Sequence, residues 1–141
     1  MKTIVVLAVS IVLVSILFCP MVMAAPAMPD DVQIVQPDPS LPKELSAFFG
    51  KWEGSAQNHD WFLIVQKIDE QKASLYLWRN TNYPEGPIPR GWNRYEARVT
   101  KFGGKYKLVF GESGGKCELT IKGQYLDADY VYSRPRLRRV Q

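Results

Sequence analysis

Apolar and polar residues alternate with a period of two over much of the chain beyond Gly50. In residues 95–100, 106–110 and 117–122 the apolar side chains occupy every second position. Alternation of this kind is typical of a β-strand with one face in the core and the other in solvent. Residues 61–68 and 73–78 are apolar on both faces. These two predicted strands are therefore either covered on both sides or line a cavity.

Turn-forming residues separate the predicted strands at intervals of roughly ten residues, the spacing expected of hairpins. This pattern predicts an all-β fold: an antiparallel meander that closes into a small barrel of about seven to nine strands. Closure would remove the exposed strand edges that otherwise promote aggregation. The predicted turns are Asn58-His59, Asp69-Glu70-Gln71, Gly103-Gly104, Ser113-Gly114-Gly115 and Gly123-Gln124.

A short helix is predicted before the first strand, over about residues 42–49. Leu45 and Phe48 give this segment an apolar face, and Gly50 is placed to end it. Ser40 is a candidate N-cap, because a serine hydroxyl can accept a hydrogen bond from an amide of the first turn. The barrel is thus expected to be preceded by a single helix.

The first 25 residues have the composition of an export signal. Lys2 is followed by a 22-residue apolar run from Ile4 to Ala25, and small residues offer cleavage sites near Ala24 and Ala27. The run is also long enough to span a bilayer, so a retained membrane anchor is the alternative. In both cases we expect residues after Ala25 to lie outside the cytoplasm, in the periplasm or the extracellular space.

The proline-rich residues 26–42 are predicted to link this segment to a barrel domain over residues 43–141. Prolines at 26, 29, 37, 39 and 42 favour an extended chain, either a spacer or a disordered start. The residues beyond Ala25 are enough for one hydrophobic core and too few for two. We expect one domain and a monomer.

Charge and cysteine content narrow the functional classes. The whole chain carries a net charge of +4, which is weak and dispersed, so nucleic acid is not an expected partner. Cys117 and His59 are the only cysteine and histidine beyond the apolar run, too few for the usual metal sites. Cys117 lies on the apolar phase of its strand and is predicted to be an inert core residue. No cofactor is expected.

Gly50-Lys51-Trp52, directly after Phe48-Phe49, resembles the Gly-x-Trp signature of the calycin superfamily, which includes lipocalins, fatty-acid-binding proteins and avidins. The resemblance implies a lipocalin-like barrel with one end closed by the helix. It also implies that Trp52 packs there under a basic side chain of the last strand. Arg136, Arg138 and Arg139 are the candidates, and Arg138 is taken as the signature residue with Gly50 and Trp52.

The wider pattern Leu45-x-x-Phe48-x-Gly50-x-Trp52-x-Gly54 also resembles a family of uncharacterised bacterial exported domains. That resemblance implies no activity. The basic residues 134–139 have three interpretations: a closing strand, a patch that faces anionic lipid, or a solubilising end. Leu137 and Val140 favour the closing strand.

Aromatic residues near one long loop are the best candidate binding residues. The loop, residues 80–91, has three prolines and two glycines, and long loops in compact domains are often binding loops. Tryptophan and tyrosine suit a ligand pocket because each offers a broad apolar face with a polar tip. The candidate ligand-binding residues are Trp61, Trp78, Tyr83, Arg90, Trp92 and Tyr95.

These patterns are compatible with two functions. The first is an exported protein that binds a small apolar or amphipathic molecule in a barrel cavity lined by Trp61, Leu63, Leu75 and Leu77. The second is a cell-envelope interaction domain with a filled core, which binds a partner through the aromatic 80–91 loop region. An enzyme ranks third, because the sequence has no recognisable nucleophile or metal site, and the Asp127/Asp129 pair is polar enough to be solvated.

Overall fold

The structure, a computed structural model, describes residues 25–57, 59–80, 89–112 and 114–141. Within these ranges the chain forms one short helix followed by eight strands. The elements are α1 (Lys43–Ser46), β1 (Gly50–Ala56), β2 (His59–Ile68), β3 (Lys72–Asn80), β4 (Gly91–Phe102), β5 (Lys105–Phe110), β6 (Cys117–Lys122), β7 (Tyr125–Tyr130) and β8 (Arg136–Val140).

The strands form a closed antiparallel barrel in which each strand pairs with its neighbour in sequence. Closure is made by β8, which pairs with β1 through Lys51↔Val140 and Trp52↔Arg139. The predicted all-β meander barrel with a short leading helix is therefore confirmed, and so is the interpretation of residues 134–139 as a closing strand. Period-two alternation was sufficient evidence because each strand has one face inside the barrel.

Alternate strand connections meet at opposite ends of the barrel. The closed end carries α1, the start of β1 and the β2–β3, β4–β5 and β6–β7 turns. The mouth end carries the β1–β2, β3–β4, β5–β6 and β7–β8 connections. Residues 81–88, which include most of the long loop predicted to bind ligand, lie outside the described residues.

The helix is shorter than predicted, and its cap differs. It spans Lys43–Ser46, with Pro42 at the N-cap and no side-chain hydrogen bond to the cap. The expectation for Ser40 is wrong: its hydroxyl and amide both donate to the Asp38 carboxylate, at 2.7 and 2.8 Å. Proline fits the start of a helix because its missing N–H would have no intrahelical partner there.

The middle of the barrel is filled by its own side chains. Leu63, Leu75 and Leu77, which the sequence placed around a cavity, have no accessible surface, and neither has Trp61. A side chain without accessible surface adjoins no void as large as a water molecule, so these residues pack against other side chains. Close packing of this kind is usual for small barrels.

A segment of residues 27–35, here called the strap, lies on the outer face of β2, β3 and β4. The Tyr76 hydroxyl donates to Asp31 at 2.5 Å, and the Trp92 indole donates to the Ala27 carbonyl at 2.7 Å. At a bulge in β2, the Gln66 carbonyl accepts from the Val35 amide at 2.8 Å. The strap explains why β2 and β3 are apolar on both faces: one face is inside the barrel and the other is covered.

β2 begins at a residue that the sequence assigned to a turn. The prediction of His59 as a turn residue is wrong, since His59 begins β2 opposite Ala56 and is buried.

Among the residues described, the only helix is α1, and it is far too short to cross a membrane.

Candidate functional site

The closed end is held together by an arginine stacked on a tryptophan. The Arg139 guanidinium carbon lies 4.2 Å from the ring centroid of Trp52. Its two terminal nitrogens donate to the carbonyls of Phe49 and Ala47, which satisfies backbone acceptors just after α1. The Trp52 indole donates to the Phe48 carbonyl at 2.9 Å. Burial lowers the pKa of Arg139.

The stacked arginine is Arg139, so the choice of Arg138 as the signature residue is wrong. Arg138 lies on the outward phase of β8 and donates twice to the Glu53 carboxylate, at 2.9 and 2.7 Å. The register Trp52↔Arg139 decides the matter, because residues opposite each other on paired strands share one face. The predicted packing of Trp52 under a basic side chain of the last strand is found, with Arg139 in that position.

The two glycines in the pattern around Trp52, Gly50 and Gly54, lie where a side chain would clash with β8. Gly50 has φ +114°, and a Cβ there would lie 2.8 Å from the Arg139 guanidinium. A Cβ at Gly54 would overlap the Arg136 carbonyl oxygen of the neighbouring strand. Both glycines therefore allow β8 to close on β1.

The mouth end contains a second arginine stacked on aromatic rings, and this one is buried. Arg79 follows Leu75 and Leu77 on the inward phase of β3 and is 3 % exposed. Its guanidinium carbon lies 5.3 Å from the ring centroid of Trp61 and 4.9 Å from that of Tyr130. The two rings also contact each other edge to face, with centroids 6.0 Å apart. We call Trp61, Arg79 and Tyr130 the mouth cluster.

Two members of the mouth cluster have polar atoms without a hydrogen-bond partner in the described part of the chain. These atoms are the Trp61 indole nitrogen and the Tyr130 hydroxyl, both buried. The nearby Ser133 hydroxyl shares this property. A buried donor without a partner costs about 1–3 kcal/mol, so such groups are uncommon in native cores. Their occurrence together beside a buried guanidinium marks the mouth end as the candidate site.

The positive charge of Arg79 influences its titratable neighbours. Burial raises the pKa of Tyr95, and the Arg79 charge partly opposes this shift. Burial also raises the pKa of the Cys117 thiol, and the Arg79 charge again partly opposes this shift. Cys117 therefore stays a neutral, buried thiol, which agrees with its predicted role in the core.

The structure divides the predicted ligand-binding residues between the two faces of the sheet. Trp61 and Tyr95 point into the barrel, where Tyr95 packs on Phe110 at 4.9 Å between centroids. Trp78 and Trp92 are paired on the outer face, where Phe62 contacts the Trp78 ring and the strap contacts Trp92.

The other two predicted residues belong to the long loop. Arg90 is exposed at the end of the loop, just before β4 begins. Tyr83 lies outside the described residues.

Arg79 and Tyr130 were not among the residues predicted from the sequence. The signal was present for Arg79, because it continues the every-second-position series of Leu75 and Leu77 on a predicted strand. An arginine at the end of a strand is usually solvated. Trp61 lies opposite Arg79 in the β2–β3 hairpin, and only barrel closure adds Tyr130.

The outer face of β5–β8 is charged, and its carboxylates are paired. Arg136 and Lys122 bind Asp127 and hold its pKa at about 2, while Lys107 and Lys116 hold that of Glu118 at about 2. Asp129 binds Arg134 at 2.9 Å. Asp127 and Asp129 thus lie in ion pairs on the barrel surface. Within the described ranges, no three histidine, cysteine or acidic residues are grouped to hold a metal ion.

Comparison with known proteins identifies no relative of this chain. No protein-family model matches it, and neither the curated proteins nor the solved structures contain a significant match. The resemblance to calycins therefore stays a prediction, drawn from the residues around Trp52.

Proposed function

We propose that this protein binds a small amphipathic molecule at the mouth end, with the polar head group of that molecule held by the mouth cluster. The observation that carries the proposal is the pair of buried donors on Trp61 and Tyr130, without partners in the described residues, beside the Arg79 guanidinium. Binding sites are typically apolar with a few convergent polar groups, and the mouth cluster has this composition.

The chemistry of the cluster favours an anionic or hydrogen-bond-accepting head group. An indole N–H only donates, a tyrosine hydroxyl donates readily, and a guanidinium offers donors with a positive charge. A carboxylate, sulfonate or phosphate ester would accept from the Trp61 indole and the Tyr130 hydroxyl beside the positive charge of Arg79, and hydrogen bonds with an ionised partner are the stronger ones. A purely apolar molecule would leave the donors without partners.

The packing of the barrel limits how deep such a ligand reaches. Leu63, Leu75 and Leu77 have no accessible surface, so they leave no room for an apolar tail in the middle of the barrel. The tail is therefore assigned to the mouth, towards the β7–β8 connection. Trp61 and Tyr130 have almost no accessible surface either, so a head group reaches them only when a covering side chain moves. Tyr132 lies against Tyr130 with ring centroids 5.4 Å apart and is half exposed, which makes it the side chain that a ligand would displace.

The test compares Arg79→Met with wild type, using anilinonaphthalene sulfonate as an anionic probe and phenylnaphthylamine as an uncharged one. Loss of the guanidinium is expected to weaken the anionic probe roughly tenfold to a hundredfold and to leave the uncharged probe unchanged. Arg98→Met, at an exposed position of β4, is the matched control and should bind both probes like wild type. Equal affinity of Arg79→Met and wild type for the anionic probe would contradict the proposal.

The second candidate function, an envelope interaction domain, is favoured by the packed middle of the barrel. Native mass spectrometry of the full chain, purified gently from the exported fraction of its host, separates the two functions. A stoichiometric extra mass that is lost on denaturation supports a small ligand. A bare protein mass, with no response of either probe to Arg79→Met, supports the interaction domain.

A further inference from the structure

The rim of the mouth end exposes apolar side chains that have no role in the barrel core. Val131 and Tyr132 follow each other in the β7–β8 connection and are 70 % and 50 % exposed. Met28, next to the residue held by Trp92 at the start of β4, is also largely exposed. Tyrosine is enriched where proteins meet the membrane–water interface, since its ring is apolar and its hydroxyl polar.

The contacts of the strap determine which end of the barrel lies next to the apolar N-terminal run. The Ala27 carbonyl is bound to Trp92, the second residue of β4, and therefore lies towards the mouth end. The run from Ile4 to Ala25 ends two residues earlier. Two extended residues span at most about 7 Å, so a run inserted in a bilayer would hold the mouth end close to its surface.

The opposite end of the barrel is correspondingly far from that surface. Phe102, at the closed-end terminus of β4, is 86 % exposed. The ten residues from Trp92 to Phe102 correspond to about 33 Å along a strand. Phe102 is therefore a second exposed aromatic residue with the opposite orientation, which makes it a suitable internal reference.

We propose that the mouth end docks on a lipid bilayer, with Ile4–Ala25 inserted and Val131 and Tyr132 at the boundary between head groups and acyl chains. Arg90 and Arg134 are exposed at this end, but Arg134 is paired with Asp129 and Glu112 lies on the neighbouring turn, so little positive charge is left for the phosphates of anionic lipids. Docking is therefore carried mainly by apolar contact. An amphipathic lipid drawn from this bilayer is the ligand class assigned to the mouth cluster, and this last step rests on the proposed function.

The experiment places one fluorophore at either end of the full chain. Tyr132→Cys and Phe102→Cys are each combined with Cys19→Ser, and Cys117 does not compete for the label because it is buried and its pKa is raised. The labelled chains are reconstituted in vesicles of phosphatidylcholine and phosphatidylglycerol that contain a lipid with a nitroxide head group. The label at 132 is expected to lose more than half of its fluorescence, and the label at 102 to keep nearly all of it.

Three outcomes overturn the docking: equal quenching of the two labels, stronger quenching at 102, or recovery of the chain free of the vesicles. Val131→Asp, at a 70 % exposed position, should reduce quenching at 132 without changing the unfolding midpoint.

The same samples separate docking from the proposed function. Arg79→Met should keep the quenching at 132 and lose the lipid that native mass spectrometry detects on wild type. Quenching at 132 in a wild-type chain that carries no lipid would uphold docking and overturn the proposed function.

Discussion

The two ends of the barrel each hold an arginine against a tryptophan, and they differ in what the polar atoms do. At the closed end, Arg139 donates to two carbonyls and the Trp52 indole donates to a third. At the mouth end, Arg79 is more deeply buried, and the Trp61 indole has no partner in the described residues. The arginine and the tryptophan thus complete a structural joint at the closed end, whereas the mouth-end tryptophan has an indole donor without a partner in the described residues.

This difference is informative because unused buried donors are costly. A hydrogen bond that is made adds only about 1 kcal/mol to stability, whereas a buried donor without a partner costs about 1–3 kcal/mol. The closed end follows the usual rule for native cores, and the mouth end departs from it. Departures of this kind concentrate at functional sites.

The largest expected effect comes from shortening the two tryptophans in turn. Trp52→Phe should destabilise the fold by about 2–4 kcal/mol, because it leaves a cavity and removes the donor to the Phe48 carbonyl. Trp61→Phe should cost about 1–2 kcal/mol less, because the indole it removes has no partner in the described residues. Urea unfolding followed by circular dichroism measures both. Equal losses for the two variants would remove the contrast between the ends.

The arginines provide the next test, and here the two variants should differ in the size of the loss. Arg139→Met should destabilise by about 1–3 kcal/mol, because the Phe49 and Ala47 carbonyls lose a charged donor. Arg79→Met should cost less than Arg139→Met, because the methionine side chain keeps much of the apolar packing against the Trp61 and Tyr130 rings. Thermal unfolding of the two variants beside wild type decides the matter. A loss in Arg79→Met as large as that in Arg139→Met would show that Arg79 has a structural role.

The smallest expected effect is the loss of stability at acid pH. It should come from an ion pair on the barrel surface and from neither end. The folded pKa of Asp127 is about 2, well below the usual value near 4, because Arg136 and Lys122 bind its charged form. A group with a depressed folded pKa adds stability that is fully present above its unfolded pKa. That contribution is lost as the pH falls from about 4 to about 2.

Asp127→Asn should therefore flatten the decline of the urea midpoint between these pH values. Because the ion pair is solvated, the change should be modest. Arg98→Met, at an exposed position of β4, leaves Asp127 and its partners intact and serves as the control, which should keep the wild-type decline. An unchanged decline in Asp127→Asn would mean that other carboxylates carry the acid dependence.

The alternation of apolar and polar residues predicted the barrel well, because it indicates which side chains of each strand point inward. The alternation in residues 95–100, 106–110 and 117–122 assigned the inward side chains correctly. The apolar residues of the last strand identified closure. The same alternation places Arg79 on the inward face of its strand with Leu75 and Leu77. The pattern alone does not single out Arg79, because a charged residue at a strand end is usually solvated.

Contacts between distant segments were beyond the reach of those patterns. Whether Arg138 or Arg139 meets Trp52 depends on the register of β8 on β1, and a shift of one residue exchanges the two faces. The strap was interpreted as a linker, since nothing in its proline-rich sequence shows that Asp31 binds Tyr76. Ser40 had an equally good local partner in Asp38.

By itself, the sequence determined the strands, their inward faces, the leading helix and the tryptophan at the closed end, because each of these follows from spacing along the chain. The tertiary structure decided which arginine stacks on Trp52, which face the strap covers, and that Trp61, Arg79 and Tyr130 meet at the mouth. The physical reason is that Trp61 faces Arg79 within one hairpin, whereas Tyr130 on β7 meets them across the interior only when the barrel closes. A buried donor has a missing partner only once its surroundings are fixed in space.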